Sequence, residues 1–206
     1  MARKTKDEAE RTYHALLNAA TALFIKQGIA KTTLNDIATA AGMTRGAVYW
    51  HFDNKDAVIR ALWDRNAGTL HARFNQELLN LDPENPEQHF RQAIKSIVQN
   101  IVSEPELGEA IHIVMHCVEF TDEQTELQRY LRDKRSELHN ALEKALTVLQ
   151  KRKALHTSLS PALLAQGMIC YLYGLIHNHL EPGKAVLDLR KNGDALLDLF
   201  MDSLFV

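Results

Sequence analysis

A chain of 206 residues, 46% of them apolar and 7% aromatic, is long enough for one or two domains with a substantial core, which excludes a disordered tail. Two cysteines, Cys117 and Cys170, make neither a disulfide framework nor a spaced metal motif, so a reducing compartment, the cytoplasm, is expected; with neither a signal-peptide core nor a bilayer-spanning apolar run, the chain is expected to be soluble and to have no membrane partner. The net charge of −2 is unevenly divided: residues 1–55 hold eight Lys and Arg against five Asp and Glu, or +3, leaving sixteen against twenty-one, or −5, for the remainder.

In chain order, Arg3, Lys4, Lys6 and Arg11 form a basic arm that could follow a phosphate backbone, enter a minor groove, or stay solvated as an ordinary terminus. A first helix is expected near residues 8–27, with Leu16, Ala19, Ala20, Leu23 and Phe24 on one face and a stop at Gly28. The run from Thr33 to Phe52, T-L-N-D-I-A-T-A-A-G-M-T-R-G-A-V-Y-W-H-F, then has the grammar of a helix-turn-helix. Thr33 is suited to N-capping, and Asp36 sits in the first turn, where a carboxylate complements the helix dipole. Leu34, Ile37, Ala38 and Ala41 give the apolar face, and Gly42 turns the chain. Thr44 caps a second short helix whose Val48 and Phe52 face inward while Arg45, Gly46, Tyr49 and Trp50 lie on other faces. Arg45 can reach guanine edges or phosphate, Gly46 permits close approach, and Tyr49 and His51 offer phosphate-directed donors. The plainer alternative is a helical hairpin whose aromatic residues only pack.

The run G-I-A-K-T-T-L-N-D-I-A-T-A-A-G-M-T-R-G-A-V-Y-W-H-F-D-N-K resembles the N-terminal domain of TetR-family transcriptional regulators. The opening M-A-R-K-T-K-D-E-A and the later E-F-T-D-E, Glu119 to Glu123, resemble the AcrR-like subgroup, repressors of multidrug efflux pumps with a part in antibiotic resistance. The resemblance is strong over about the first sixty residues. It implies an all-α fold of about nine helices, with an arm and three-helix DNA-binding domain over residues 1–54 and a helical ligand-binding and dimerisation domain over 55–206. The implied DNA-contacting set is Thr33, Thr44, Arg45, Gly46, Tyr49, Trp50, His51 and Lys55, with Arg3, Lys4 and Lys6 of the arm.

Asn54 can cap a fourth helix running from Lys55 to about Asn80, a linking helix over 55–80. Asp82-Pro83-Glu84-Asn85-Pro86 breaks and restarts the chain, with Asn85 as N-cap and Pro86 at the first helical position, and Pro105 breaks it again. Thr121, with Asp122 and Glu123 behind it, is expected to cap a helix reaching about Lys153. Ser160-Pro161 starts another, Pro182-Gly183 ends it, and a last helix covers about 188–204. No strand-like alternation appears.

The last two helices carry surplus apolar surface: Leu163, Leu164, Met168, Leu172, Leu175 and Ile176 on one, and Leu189, Leu196, Leu199, Phe200 and Leu204 on the other. The resemblance makes this pair the homodimer interface and a palindromic double-stranded operator the partner. By the same analogy, Trp63, Ile113, Met115, His116, Leu138, Met168, Ile169 and Leu172 are candidates to receive a small-molecule inducer, although such side chains more often form plain core. His112, His116 and Glu119, at i, i+4 and i+7, could present two imidazoles and a carboxylate to a metal. H-I-V-M-H lacks the glutamate used in zinc peptidase chemistry, however, and phosphate-loop, dinucleotide and nucleophile-elbow motifs are absent. The reading is a repressor rather than an enzyme, with no cofactor and no metal; a regulator of a metabolic operon or an activator stays open beside it.

Overall fold

The first helix stops where the sequence can turn. Gly28 adopts φ +81°, a left-handed conformation that suits glycine, and its N–H closes on the Phe24 carbonyl at 2.9 Å. The computed structural model describes residues 6–119, 125–183 and 186–205. Its helices are α1 (Lys6–Gln27), α2 (Leu34–Ala40), α3 (Arg45–His51), α4 (Lys55–Trp63), α5 (Thr69–Leu79), α6 (Pro86–Ser103), α7 (Pro105–His112), α8 (Glu126–Lys151), α9 (Pro161–His179) and α10 (Leu189–Asp202). A π-turn at Asp64–Gly68 joins α4 to α5, and another at Ile113–Cys117 extends α7. Counted through these turns, the described residues form nine helical runs and no strand, apart from an isolated bridge between Leu155 and Phe205, so the all-α expectation holds.

The chain packs as two units, Met1–Ala67 with Glu109–Tyr130, and Gly68–Gly108 with Leu131–Val206. This division differs from a boundary after residue 54, because α4 and the π-turn at Ile113–Cys117 both pack on α1. In the first unit α1 lies against α2, α3 and α4, with Leu16, Leu17, Ala20 and Phe24 wholly buried. Leu17 takes the place expected for Leu23, which is half-buried with Ala19, since the buried stripe follows positions 16, 17, 20 and 24. Each fully buried leucine or phenylalanine stabilises the unit by roughly 1.5–3 kcal/mol.

Thr33 opens α2 with a reciprocal capping box: its hydroxyl accepts from the Asp36 N–H at 3.1 Å, and its own N–H donates to the Asp36 carboxylate at 2.9 Å. The Thr33 N–H foremost, and the Thr33 hydroxyl beside it, donate to the exposed Asp36 carboxylate and hold it below the ordinary carboxylate pKa. Gly42 ends α2 at φ +68°, the Met43 N–H returns to the Ala38 carbonyl at 2.8 Å, and Thr44 caps α3 by accepting from the Ala47 N–H at 3.2 Å. Val48 and Phe52 are buried as expected. Asn54 caps α4 through the Ala57 N–H at 2.8 Å.

In the second unit α6 runs beside α5 and α10, and α9 beside α10. Arg91, Lys95 and Gln99 of α6 reach Asp202, Asp198 and Asp194 of α10 at 2.7, 2.7 and 3.1 Å, three rungs spaced i, i+4 on both helices. Asn85 stands at the N-cap of α6 without a side-chain bond, whereas the preceding turn is tied by the Asp82 N–H to His89 Nδ1 at 2.9 Å. The fourth helix does not run unbroken to Asn80, since the π-turn interrupts it. Thr121, Asp122 and Glu123 lie outside the described residues, and Thr125 caps the described start of α8 by accepting from the Gln128 N–H at 3.2 Å. Ser160 caps α9 and Asp188 caps α10.

The apolar surplus of the last two helices is smaller than expected. Leu164, Met168, Leu172, Leu175 and Ile176, with Leu189 and Leu204, are buried within the unit, while Leu163 and Leu199 stay 55% and 70% exposed. No helix among the described residues is long and apolar enough to cross a membrane.

Candidate nucleic-acid interface

The seven residues of α3 present their polar and aromatic side chains outward because Val48 and Phe52, four apart, hold the opposite side in the core. Arg45, Gly46, Tyr49 and Trp50 are exposed, Tyr49 at 46% and Trp50 at 72%. The Arg45 guanidinium lies 5.4 Å from the centre of the Tyr49 ring, a cation–π contact that orders a mobile charge without neutralising it. A Cβ built on Gly46 would meet only the Thr44 hydroxyl at 3.9 Å, so the fold itself would accept a larger residue there. A small residue at an outward position that the protein does not need small suits close approach by something outside it.

At the end of α3, His51 sits between two rings, 4.5 Å edge-on from Trp50 and 5.7 Å tilted from Tyr13. Tyr13 comes from α1 and also stacks on Phe52 at 5.3 Å and 27°. Its phenol is held above the ordinary tyrosine pKa, chiefly by burial, and is neutral. Sequence reading missed Tyr13, because nothing local indicates that a half-buried tyrosine on the first helix touches residues nearly forty positions later.

Two expected DNA contacts are engaged within the protein. The Lys55 ammonium donates to the Ile29 carbonyl at 2.7 Å, bracing the α1–α2 turn, and the Thr33 hydroxyl lies 2.8 Å from the Asp36 carboxylate in the capping box. Lys6 is exposed at the start of α1, and Arg3 and Lys4 lie outside the described residues.

The expected inducer-binding residues fall in both units. Trp63, Ile113, Met115 and His116 belong to the first, where Ile113 is buried and the others half-buried; Leu138, Met168, Ile169 and Leu172 belong to the second, where only Leu138 is not buried. A cleft of about 320 Å³ in the first unit is lined instead by Asp53, Asn54, Asp56, Ala57, Arg60, Thr125, Glu126 and Leu127. Beside it the Tyr130 hydroxyl donates to the Asp64 carboxylate, and the Arg60 guanidinium lies 4.7 Å over the Tyr130 ring. The i, i+4 pair Arg60 and Asp64 was readable in the sequence, but its tyrosine partner was not.

The metal reading of His112, His116 and Glu119 meets a different geometry. The two imidazoles stack at 4.8 Å and 24°, and Glu119 lies past the helical run, which ends at Cys117. Its backbone carbonyl accepts from the Gln128 side chain at 3.1 Å. Among the described residues no group of three or more His, Cys, Asp or Glu could hold a metal ion. The Cys117 thiol is pushed up in pKa by burial and faces the Phe24 carbonyl at 3.8 Å, a setting that disfavours the reactive thiolate, whereas Cys170 is exposed.

The model of the family described as bacterial regulatory proteins, tetR family, matches residues 16–62, and that of the MAATS-type transcriptional repressor, C-terminal region, matches residues 85–206. The HTH-type transcriptional regulator TtgR of Pseudomonas putida is 32% identical over 99% of this chain and 96% of its own. Among solved structures, NalD of Pseudomonas aeruginosa superposes with a TM-score of 0.85 at 26% identity, covering 97% of this chain and 98% of that one. SmeT of Stenotrophomonas maltophilia, in complex with triclosan, gives 0.77 at 27% over 95% and 92%. Helix-turn-helix, helical second unit and full-length similarity agree: the chain belongs to the TetR family of bacterial regulatory proteins, transcriptional regulators rather than enzymes, and carries a MAATS-type repressor C-terminal region.

Proposed function

We propose that the protein is a cytoplasmic, ligand-responsive repressor that binds a palindromic operator as a homodimer, releases it on binding a small lipophilic or cationic compound, and controls a multidrug efflux operon. The exposed row on α3, Arg45 stacked on Tyr49 beside Gly46 and Trp50, is the observation that carries the DNA-binding reading. Thr44 and His51 border that row, Lys6 with Arg3 and Lys4 supplies the arm, and residues 1–54 form the reading head. Residues 55–206 form the ligand-binding and dimerisation part, with 55–80 as the link. Support for the efflux target comes from NalD, described as the secondary repressor of the MexAB-OprM multidrug efflux pump, and from SmeT, described as the repressor of the pump SmeDEF. The SmeT–triclosan complex supports a lipophilic inducer. Trp63, Ile113, Met115, His116, Leu138, Met168, Ile169 and Leu172 are the residues proposed to respond to it.

A homodimer holding two α3 helices about 34–36 Å apart matches successive major grooves. An inducer that binds better to a conformation with another spacing shifts the population away from DNA, by as much as its affinities for the two states differ. Footprinting across the promoters flanking the gene tests the reading. Protection of a palindrome is expected, with Arg45→Ala weakening it by about 1–3 kcal/mol and relaxing selectivity at one position of each half-site. A wild-type protein that protects no sequence overturns the DNA-binding reading; protection only at a metabolic operon overturns the efflux assignment alone.

A further inference from the structure

The ring cluster at the end of α3 is joined from outside the helix-turn-helix by Tyr13 of α1, which also meets its neighbour His14 edge-on at 5.6 Å. Trp50, His51 and Phe52 are consecutive, and their mutual contacts travel with α3 whatever its orientation. Tyr13 is anchored on α1, whose neighbours Leu16 and Leu17 are wholly buried, and it meets both His51 and Phe52. Phe52 is the C-cap of α3, its N–H closing on the Val48 carbonyl at 2.9 Å, and its backbone is extended, so the helix ends at this contact. α3 has only seven residues and one buried side chain of its own, Val48, and it packs on α2 through the turn at Gly42. That packing holds its N-terminal end, and the contact with α1 through Tyr13 supports its C-terminal end.

We propose that Tyr13 is a positioning residue for the recognition helix: its ring, fixed on α1 and stacked on Phe52 against His51, sets the angle at which α3 offers Tyr49, Trp50 and His51 to DNA. This rests on the reading of α3 as the DNA-contacting helix. The hydroxyl is not required, because the contacts are made by the ring face. Loss of the ring loosens α3 and lowers discrimination between DNA sequences more than it lowers affinity for DNA in general, since phosphate contacts tolerate small rotations better than base contacts do.

The test uses the full chain as wild type, Tyr13→Phe and Tyr13→Leu, with two probes: the duplex that the wild type selects from a randomised pool, and a shuffled duplex of the same composition. Tyr13→Phe is expected to behave as wild type. Tyr13→Leu is expected to lose affinity on the order of tenfold for the selected duplex, the scale of one stacked aromatic pair, with little change on the shuffled one. In the DNA-free protein, amide hydrogen exchange of Val48 to Phe52 should quicken by about the same factor in Tyr13→Leu alone, with Leu16 to Phe24 unchanged. The proposal is overturned if Tyr13→Leu keeps both selectivity and protection, if protection falls equally across α1, or if Tyr13→Phe fails as Tyr13→Leu does. A wild type that selects no duplex sinks the DNA-binding reading, and the exchange measurement then decides the role of Tyr13 by itself.

Discussion

His71 donates its Nε2–H to the Lys134 carbonyl at 3.0 Å, with its Nδ1 3.7 Å from the Glu137 carboxylate. Burial outweighs these favourable contacts and, with the Lys134 ammonium, holds the imidazole below its ordinary pKa of 6.5. The unfolded chain therefore takes up the proton first, so stability is intact above that ordinary value and is lost as pH falls through it. Urea unfolding at pH 7.5 and 5.5 should give a smaller loss for His71→Gln than for the wild type; equal losses would show that His71 stays unperturbed. At another single residue, Asn54→Ala should destabilise by about 1 kcal/mol through the lost cap, measurable as a lower urea midpoint at unchanged slope. Caps such as Thr33, Thr44, Asn54 and Ser160 were legible because each acts within three residues of itself. The contact of the Lys55 ammonium with Ile29, twenty-six residues back, was not legible for the opposite reason, since no local pattern announces a partner so distant in sequence.

Helix ends were legible wherever glycine or proline forced them, as at Gly28, Gly42, Pro86, Pro105 and Pro161. The interior of the run from Lys55 to Leu79 was not. Its buried positions step from Val58 to Leu62, then to Ala67, Phe74 and Leu78, five residues rather than four across the π-turn. An α-helix advances about 100° per residue, and a π-turn holds one residue more per turn, so the buried stripe is delayed by one position there. The pattern is present in the sequence, but Asn66 and Ala67 are too weakly contrasted to announce it. The α6–α10 ladder gives the prediction at this scale. A double-mutant cycle on Lys95 and Asp198 should return a coupling of about 0.2–1 kcal/mol that shrinks in high salt, because Asp198 remains partly exposed. A coupling insensitive to salt would mark the pair as structural in some other way.

For the whole molecule, the family and the all-helical class were legible from twenty residues and a few breaks, because the helix-turn-helix is a local pattern. The division into units was not, since it depends on residues 109–130 packing with helices nearly a hundred positions earlier. Which of the apolar residues on α9 and α10 face the core was not legible either, because apolar residues at helical spacing do not reveal which side meets it. What remains exposed there, Leu163, Tyr173 and Leu199, is a short list. If this surface joins two copies, Leu163→Asp with Leu199→Asp should sediment as a monomer and bind a palindrome at least roughly 10²-fold more weakly, since two linked heads lose their effective concentration. A dimer that survives both changes places the joint elsewhere. The π-turn at Asp64–Gly68 also bears on descent: because it stores one residue beyond what an α-helix needs, a relative whose helix passes straight through should be one residue shorter between the positions of Trp63 and Thr69. Chain length across those few positions then becomes a marker of kinship, sorting lineages that acquired the extra residue from those that did not.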